Sequence, residues 1–465
     1  MIRNDTIAAI STPAGRGGVA MIRISGRDAA DIASRCFLPK NGQNFADLPA
    51  RRAVFGDILC RSTEGAEPLR DSGIAVFYKG PASFTGEDTA ELCCHGGTLV
   101  QRRALEWALR CGARLAEPGE FSRRALMNGK LSLCEAEALS DLLSAKTDAQ
   151  LRIAEGGADG RLDRELSDIY SALADTLASL YAKIDFPDED LADLDAEALL
   201  AAAQKAQERV TRLAAGYENT AAIREGIPAV ICGLPNTGKS SLYNALAGEE
   251  LAIVTGEAGT TRDILSSELS CGKVLLRLSD TAGVRETAAE AESIGVCRAL
   301  GAMERASLIL LVFDGSRPLC AEDEALARRA SAAPGVLIPV LNKSDLPALL
   351  SAADLAALCG TEPSVLSAAT GAGVADLRAR IENLFLSGQE SIDAEPLLCS
   401  GRQYSAALRA AEHLSAAVSA LETGLPPDCA ASDLELALGD LGELDGRAVD
   451  EEIVARIFAN FCVGK

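Results

Sequence analysis

IPAVICGLPNTGKSSLYNAL occupies residues 227–246, and this stretch decides the fold of the second half of the chain. An apolar run leads into residues 233–240, which read GxxxxGKS, and a helical pattern follows. Glycines in such a loop let backbone N–H groups wrap the phosphates of a nucleotide, and the helix N-terminus adds its dipole. Lys239 is expected to reach the β- and γ-phosphates, and the hydroxyl of Ser240 is expected to bind Mg²⁺. The stretch therefore predicts a P-loop within a parallel α/β domain.

Three further motifs follow the P-loop in the order typical of a GTPase. Thr261, in GTTRD, is expected to complete the Mg²⁺ shell, and Asp280, in DTAG, to bind Mg²⁺ through water. Asp345, in NKSD, can accept hydrogen bonds from N1–H and N2–H₂ of guanine, a pattern that rejects adenine, while residues 367–369 support the base. The chain is therefore predicted to hydrolyse GTP. The predicted GTP-binding residues are Asn236, Thr237, Gly238, Lys239, Ser240, Ser241, Thr255, Thr260, Asp280, Thr281, Ala282, Gly283, Asn342, Lys343, Asp345, Ser367, Ala368 and Ala369.

Spacing alone leaves the group that orients the attacking water open. Ras-type domains use a glutamine directly after DxxG, whereas this chain has Val284 there. Three carboxylates follow it, each of them either the water-orienting group or a solvated switch residue: Glu286, Glu290 and Glu292. Asn236, inside the P-loop, has a side-chain oxygen that could bind a monovalent cation beside the phosphates, or could only shape the loop. Thr255 and Thr260 could supply further oxygens to such a cation.

Composition limits the classes of protein and of partner. The chain has 465 residues, 48% of them apolar, and about three domains are expected. We expect a cytoplasmic protein, because no apolar run approaches the length of a membrane span and the N-terminus lacks a signal-peptide pattern. The net charge of −22 makes general attraction to RNA weak, so any RNA contact must be local or come from a partner. The basic residues available for a local contact, for which a solvated face is the simpler interpretation, are Arg102, Arg103, Arg110, Arg114, Arg123, Arg124 and Lys130.

Periodicity divides the chain into four segments. Residues 1–118 mix short β-like runs with glycine-rich turns and predict an α+β domain. Residues 119–222 and 388–465 carry alanine and leucine at helical spacing and predict two parts of one helical bundle, with two separate helical domains as the alternative. Residues 223–387 alternate strands and helices. The predicted fold is thus an α/β P-loop GTPase domain inserted in an all-α helical bundle and preceded by an α+β N-terminal domain.

Stretches along the whole chain resemble one protein family. GLPNTGKSSLYNAL, AIVTGEAGTTRDIL, DTAGVRE and NKSD are similar to the G domain of the tRNA-modification GTPase family MnmE, also called TrmE. DTIAAISTPAGRGGVAMIRISG, SFTGEDTAELCCHGG, PGEFSRRALMNGKLSLCEAEALSDLL and the terminal FCVGK also match this family and do not belong to generic P-loop GTPases. The resemblance therefore covers the N-terminal, helical and nucleotide-binding segments together.

The resemblance implies an activity and partners that the motifs alone do not. Members of the family are homodimers that hydrolyse GTP (EC class 3.6), are activated by potassium and act in the cytoplasm. Their N-terminal domain dimerises and binds 5-formyl- or 5,10-methylene-tetrahydrofolate as the one-carbon donor. With the flavoprotein MnmG, in a heterotetrameric or larger complex, they add a carboxymethylaminomethyl or aminomethyl group to C5 of wobble uridine 34 of certain tRNAs.

The resemblance also assigns roles to residues of this chain. The implied water-orienting glutamate is Glu292, which would act together with Lys239 in catalysis. Cys462, in the terminal tail, is implied to act near the folate as a candidate catalytic residue, although a lone cysteine near a terminus is usually only a free thiol. The implied folate ligands are Arg23, Glu91, Lys130 and Lys465. The implied potassium ligands are Asn236, Thr255, Glu257 and Thr260, with Glu257 acting through its backbone carbonyl.

Two other functions share the nucleotide motifs. A ribosome-assembly or RNA-binding switch GTPase of the Era/Der type would have the same G domain, but such proteins usually carry a basic RNA-binding module. The acidic balance of this chain and its FCVGK terminus favour the modification enzyme instead. A pure signalling switch is the third alternative.

Overall fold

The computed structural model describes residues 5–47, 49–60, 69–185, 196–248, 267–278, 301–386, 396–449, 451–459, 461 and 463–464. Its contacts divide the chain into two compact units. The first comprises Met1–Ser140, Gly157–Arg212 and Leu398–Lys465, and the second comprises Asp141–Gly156 and Leu213–Leu397. The second unit is thus inserted into the sequence of the first. Within the described ranges, no helix is long and apolar enough to cross a membrane.

A sheet of seven strands begins the first unit: β1 (Ile7–Ile10), β2 (Val19–Ser25), β3 (Phe37–Pro39), β4 (Val54–Cys60), β5 (Leu69–Tyr78), β6 (Thr89–His95) and β7 (Arg114–Leu115). The strand order is β3-β4-β5-β6-β2-β1-β7, and every adjacent pair is antiparallel except β1 and β7. Two helices, α1 (Ala29–Cys36) and α2 (Thr98–Arg110), cover one face of the sheet. Ile22, Ile24 and Leu92 are buried on that face, as the two-residue period of a half-covered strand requires.

The opposite face of this sheet exposes apolar side chains, and we call it the open sheet face. Val19, Phe55 and Ile74 lie on it and are 71%, 58% and 45% exposed. The strand register makes the patch continuous, because Phe55 lies opposite Ile74, Ile74 opposite Cys93 and Cys93 opposite Met21. A contiguous apolar surface of this kind usually marks an interface.

Five helices follow the sheet: α3 (Glu120–Met127), α4 (Leu133–Ser144), α5 (Asp148–Ala158), α6 (Arg161–Asp185) and α7 (Ala196–Arg224). In the second unit, Ile153 of α5 packs with Ile223 of α7 and with Leu397 in a small buried core. The side-chain amide of Gln150 donates to the carbonyls of Ile223 and Arg224 at 3.0 and 3.2 Å. These bonds satisfy carbonyls that the end of α7 leaves without helical partners.

The second unit contains a sheet of six strands: β8 (Ile227–Cys232), β9 (Ser267–Cys271), β10 (Val274–Leu278), β11 (Leu308–Asp314), β12 (Val336–Asn342) and β13 (Ser364–Val365). The order is β13-β12-β11-β8-β10-β9, and only β9 is antiparallel to its neighbour. After β8, the described helices of this unit are α8 (Lys239–Ala247), α9 (Ala321–Ala332), α10 (Ala352–Cys359) and α11 (Val374–Leu386). Parallel strands end at one edge, so the segments after β8, β11 and β12 meet where nucleotides bind in such sheets.

Three helices complete the first unit: α12 (Gly401–Glu422), α13 (Pro427–Asp445) and α14 (Glu451–Ala459). Buried small residues of α12, including Ala406, Ala410 and Ala417, allow close packing along this helix. At its start, Arg402 forms an ion pair with Glu137 of α4 at 2.8 Å, and both side chains are largely buried. The predicted combination of an α+β N-terminal part, helices and an inserted α/β P-loop domain is confirmed.

Candidate functional site

The loop between β8 and α8 adopts backbone conformations that require glycine. Gly233 has a φ of +151°, and a Cβ atom there would collide with the backbone carbonyl of Val312 in β11. Gly238 has a φ of +94°, and a Cβ atom there would collide with the side-chain amide of Asn342. Asn236 has a φ of +64°, a conformation that asparagine tolerates better than most residues. The loop therefore curls tightly at the edge of the sheet, as a phosphate cradle must.

Two side chains of the P-loop bind back to the loop itself. The ammonium group of Lys239 donates to the carbonyl of Leu234 at 2.8 Å, and the hydroxyl of the buried Thr237 donates to the same oxygen at 2.9 Å. Burial lowers the pKa of Lys239. Ser240 and Ser241 are exposed in the first turn of α8. The Lys239 side chain thus lies across the concave side of the loop, where a phosphate would be bound.

Asn342 connects the P-loop to the segment predicted to support the base. Its side chain is almost completely buried, with 2% of the residue exposed. Its amide nitrogen donates to the carbonyl of Thr237 at 2.9 Å, and its amide oxygen accepts from the backbone N–H of Ala368 at 2.9 Å. One amide therefore sets the distance between the phosphate loop and residues 367–369.

Asp345 is oriented by a residue of the same segment. The hydroxyl of Ser367 donates to the carboxylate of Asp345 at 2.6 Å, and the backbone N–H of Thr370 donates to that hydroxyl at 3.2 Å. Asp345 is otherwise exposed, so its carboxylate can accept hydrogen bonds from a bound base. The structure thus brings Asp345, Ser367 and the P-loop connection of Asn342 together at one edge of the sheet.

Asp314, which was not predicted from the sequence, holds Lys343 of the NKSD motif in place. The ammonium group of Lys343 lies 2.6 Å from Asp314 at the end of β11, and Lys343 has a φ of +66°. Burial tends to raise the pKa of Asp314, but hydrogen bonds from Lys343 and Ser316 outweigh it and hold this pKa below its ordinary value. An aspartate ending a wholly apolar strand, LILLVFD, is the signal that could have revealed it.

Several predicted site residues lie outside the described residues, and their roles stay predictions. They are Thr255, Glu257, Thr260, Thr261, Asp280, Thr281, Ala282, Gly283, Glu292, Cys462 and Lys465. The described members of the nucleotide set all lie on the loop and first turn after β8, at the end of β12 and on the segment that follows it, or on the segment after β13.

A second group of predicted site residues lies on the N-terminal sheet. Arg23 of β2 stands directly opposite Glu91 of β6, and its guanidinium lies 2.9 Å from the Glu91 carboxylate. The same guanidinium lies 5.2 Å from the ring centroid of Phe84 and 5.6 Å from that of Phe121. Burial, together with the charge of Glu91 and a hydrogen bond to it, raises the pKa of Tyr78. The Arg23–Glu91 pair is therefore surrounded by three aromatic residues, none of which the sequence analysis assigned to the site.

Lys130 approaches this group from the end of α3. Lys130 is exposed, and a Cβ atom added at Gly86 would lie 3.2 Å from its Cγ atom. The side-chain amide of Asn128 donates to the carbonyl of Thr85 at 2.7 Å. The loop between β5 and β6 thus contacts the segment after α3 through Thr85 and Gly86, and Arg23 through Phe84.

The C-terminal tail lies against the same part of the first unit. The hydroxyl of Ser11, just after β1, donates to the carbonyl of Gly464 at 2.8 Å, and Val463 forms a β-bridge with Pro118. Gly119 packs against Phe458 and leaves no room there for a side chain. Cys462 and Lys465 are outside the described residues, but their described neighbours lie beside β1 and the start of α3.

Arg124 fits neither interpretation of the seven basic residues, the solvated face that was preferred or the local RNA contact that was the alternative. Arg124 is 2% exposed, because its guanidinium bonds the carboxylates of Asp5, Glu87 and Glu120. Arg114 binds two of these carboxylates as well. Burying a charge requires partners of opposite sign, and two of them here, Asp5 and Glu87, come from segments remote in sequence.

Comparisons with known proteins match the chain throughout its length. The family model "MnmE helical domain" matches residues 133–462, and "GTP-binding protein TrmE N-terminus" matches residues 6–130. A protein of Geobacter sulfurreducens named tRNA modification GTPase MnmE is 41% identical and covers 100% of both chains. Proteins of the same name from Symbiobacterium thermophilum and Moorella thermoacetica are 42% and 40% identical, cover 99% of this chain, and are themselves covered over 99% and 100%.

Proposed function

The chain belongs to the MnmE family of tRNA modification GTPases, and from that membership we propose that it hydrolyses GTP to drive a modification of tRNA in the cytoplasm. The proposed product carries a carboxymethylaminomethyl or aminomethyl group on C5 of the wobble uridine. A tetrahydrofolate derivative donates the one-carbon unit, and the flavoprotein MnmG is the proposed partner. The observation that carries the GTPase assignment is Asn342, whose amide joins the phosphate loop to the base-binding segment at 2.9 Å on each side.

The described residues suit GTP in three ways. The loop 233–240 offers backbone N–H groups and the ammonium of Lys239 to the phosphates. The carboxylate of Asp345 accepts from guanine, and Ser367 keeps it oriented. Ser240, exposed at the start of α8, has the hydroxyl that fits Mg²⁺, with Thr261 as the second proposed ligand. When bound, Mg²⁺ neutralises charge that develops on the phosphate oxygens.

Potassium activation is a separate element of the proposal. Asn236 sits in the P-loop with a φ of +64°, and we propose that it binds K⁺ with Thr255, Glu257 and Thr260. A cation at that position would supply positive charge beside the phosphates. We further propose that Glu292 orients the attacking water.

The potassium mechanism is tested by GTP turnover in KCl and in NaCl at equal ionic strength. We expect turnover to be at least several-fold faster in KCl and to be lost in Glu292→Ala. Glu304→Ala removes an exposed carboxylate of the same unit and should leave turnover unchanged. Equal rates in the two salts would rule out activation by potassium, and an active Glu292→Ala variant would rule out the role of Glu292.

We propose that the group around Arg23 and Glu91 binds tetrahydrofolate in its 5-formyl or 5,10-methylene form. Glu91 can accept hydrogen bonds from the N–H groups of a pterin ring, and its ion pair with Arg23 at 2.9 Å keeps it oriented. Because this pair engages the Arg23 guanidinium, the exposed Lys130 and the terminal Lys465 are the better ligands for the folate carboxylates. The bond from Ser11 to Gly464 supports a tail that reaches this region, where Cys462 would act.

We propose that the open sheet face forms the homodimer interface. Ile74→Glu places a charge on this face, and burying an unpaired charge opposes association. Leu408→Glu is a matched control, because Ile74 and Leu408 are both 45% exposed. In sedimentation velocity we expect dimers for the wild type and for Leu408→Glu, and monomers for Ile74→Glu. A dimeric Ile74→Glu variant would place the interface elsewhere.

Nucleoside mass spectrometry of bulk tRNA tests the whole proposal. Deletion of the gene should abolish C5-carboxymethylaminomethyl or aminomethyl uridine, and the wild-type gene should restore it. A gene carrying Asp280→Ala should not restore it, because this variant lacks the carboxylate proposed to hold Mg²⁺ through a water molecule. Unchanged wobble uridines after deletion would instead favour an RNA-binding switch of the Era/Der type.

A further inference from the structure

The loop at residues 80–88, GPASFTGED, connects β5 to β6 and carries an aromatic residue to the Arg23–Glu91 pair. We call it the β5–β6 loop. Its residue Phe84 is 36% exposed, and the guanidinium of Arg23 lies 5.2 Å from the ring centroid. An exposed part of an aromatic ring thus lies beside a charged pair that includes a hydrogen-bond acceptor, Glu91. A flat heteroaromatic ligand with N–H donors fits both features.

The β5–β6 loop is held in place by a buried arginine. Arg124 of α3, with 3% of its side chain exposed, lies 3.1 Å from the carboxylate of Glu87. The hydroxyl of Ser25 in β2 donates to the same carboxylate at 2.9 Å. Glu87 therefore ties the loop to β2, which carries Arg23, and to α3. Glu87 is one of three carboxylates that bond Arg124, with Asp5 and Glu120, and it is the one that ties the loop to this arginine. Removing its charge should therefore release the loop while Arg124 keeps its other two partners.

Further contacts fix the loop on both sides of Phe84. The hydroxyls of Ser25 and Thr85 are 2.7 Å apart and buried, and the amide of Asn128 binds the carbonyl of Thr85 at 2.7 Å. The backbone N–H of Gly80 donates to the carboxylate of Asp88 at 2.9 Å, which closes the loop at its base. The backbone on both sides of Phe84 is therefore held by bonds from the sheet and from the end of α3.

We propose that Phe84 packs against the pterin ring of the bound folate, and that Glu87 and Arg124 are positioning residues that hold Phe84 there. This inference rests on the folate site proposed above. Aromatic pairs contribute enough beyond simple burial to change affinity about 3- to 10-fold. Removing the charge of Glu87 should lower the folate affinity by a similar factor, because Glu87 acts by positioning the Phe84 ring.

The test is calorimetric binding of 5-formyltetrahydrofolate to the full-length protein. Phe84→Leu and Phe84→Met should each weaken binding about 3- to 10-fold, whereas Phe84→Tyr, which retains the ring, should stay within about 2-fold of the wild type. Glu87→Gln should weaken binding to a similar degree. In the Glu87→Gln background, Phe84→Leu should cost less than it does alone, because the ring is no longer held. The circular dichroism induced in the bound pterin should change in Phe84→Leu.

A matched control is Glu106→Gln, which removes an ion pair of 3.0 Å with Arg103 on the surface of α2. Its folate affinity should equal that of the wild type, and thermal unfolding should show that every variant is folded. No binding by the wild type would overturn both the folate site and this inference. Wild-type binding with unchanged affinity in Phe84→Leu and Phe84→Met would overturn this inference alone. Additive effects of Phe84→Leu and Glu87→Gln would overturn the positioning role.

Discussion

Replacing Asp345 by asparagine should convert the nucleotide site from a preference for guanine to a preference for xanthine. The Asp345 carboxylate accepts a hydrogen bond from the hydroxyl of Ser367 at 2.6 Å, and its remaining lone pairs can accept hydrogen bonds from N1–H and N2–H₂ of guanine. In Asp345→Asn the amide oxygen still accepts one of these hydrogen bonds. The amide nitrogen, however, presents N–H groups to the donor N2–H₂. Xanthine has a carbonyl at C2, which can accept from that amide.

The size of the effect follows from the type of bond that is lost. Hydrogen bonds to a charged group contribute about 1.5–3 kcal/mol each. Losing one and weakening the other costs about 3–5 kcal/mol, so GTP affinity should fall about 100- to 5,000-fold. Because Ser367 also holds the amide oxygen, the orientation of residue 345 should persist, and the affinity for xanthosine triphosphate should rise.

The measurement is a competition assay that gives the dissociation constants of GTP and xanthosine triphosphate for the wild type and the variant. Asp376→Asn, an exposed residue in the first turn of α11, makes the same change of charge in the same unit and should leave both constants unchanged. A loss of GTP affinity of less than about 10-fold, with no gain for xanthosine triphosphate, would refute the role of Asp345 in reading the base.

Three further predictions concern the P-loop and the first unit. Gly238→Ala should weaken GTP binding at least about 10-fold in the same assay, because the φ of +94° is strained for alanine and its Cβ meets the amide of Asn342. Arg402→Met should destabilise the protein by about 3–5 kcal/mol in urea unfolding, because it leaves the buried Glu137 unpaired; a loss below about 1 kcal/mol would contradict this. Burial tends to raise the pKa of Glu120, but hydrogen bonds from two arginines hold it below its ordinary value of 4.5. The stability that Glu120 contributes is therefore present above about pH 4.5 and is lost as the pH falls through its lowered folded-state pKa. In urea unfolding, the free energy of unfolding should fall less between pH 6 and pH 3 in Glu120→Gln than in the wild type.

The sequence predicted those parts of the site that depend on neighbouring residues. The P-loop at 233–240 is recognisable because its glycines, its lysine and the helix that follows are consecutive, and the structure has Gly233 and Gly238 at positive φ. Asp345 and residues 367–369 were both predicted to contact the base, and the structure brings Asp345 and Ser367 together at 2.6 Å; their roles in binding a base stay predictions. The alternation of strands and helices was enough to predict the inserted α/β domain, because the spacing of apolar residues indicates which face of each element is buried.

Contacts between remote segments could not be predicted in this way. Arg124 stood in a basic set that suggested a surface, yet it is buried among carboxylates of Asp5 and Glu87, which are 119 and 37 residues away. The Ser11 hydroxyl and the Gly464 carbonyl are separated by 453 residues and bond at 2.8 Å.

Sequence by itself thus determined the phosphate loop, the NKSD motif and the class of each domain, since backbone conformation and periodicity act over a few neighbouring residues. Only the tertiary structure decided which charges are buried, which aromatic rings surround Arg23 and what holds the β5–β6 loop in place. The physical reason is that the free energy of a buried charge or ring depends on its partners, and the fold brings those partners from distant parts of the chain.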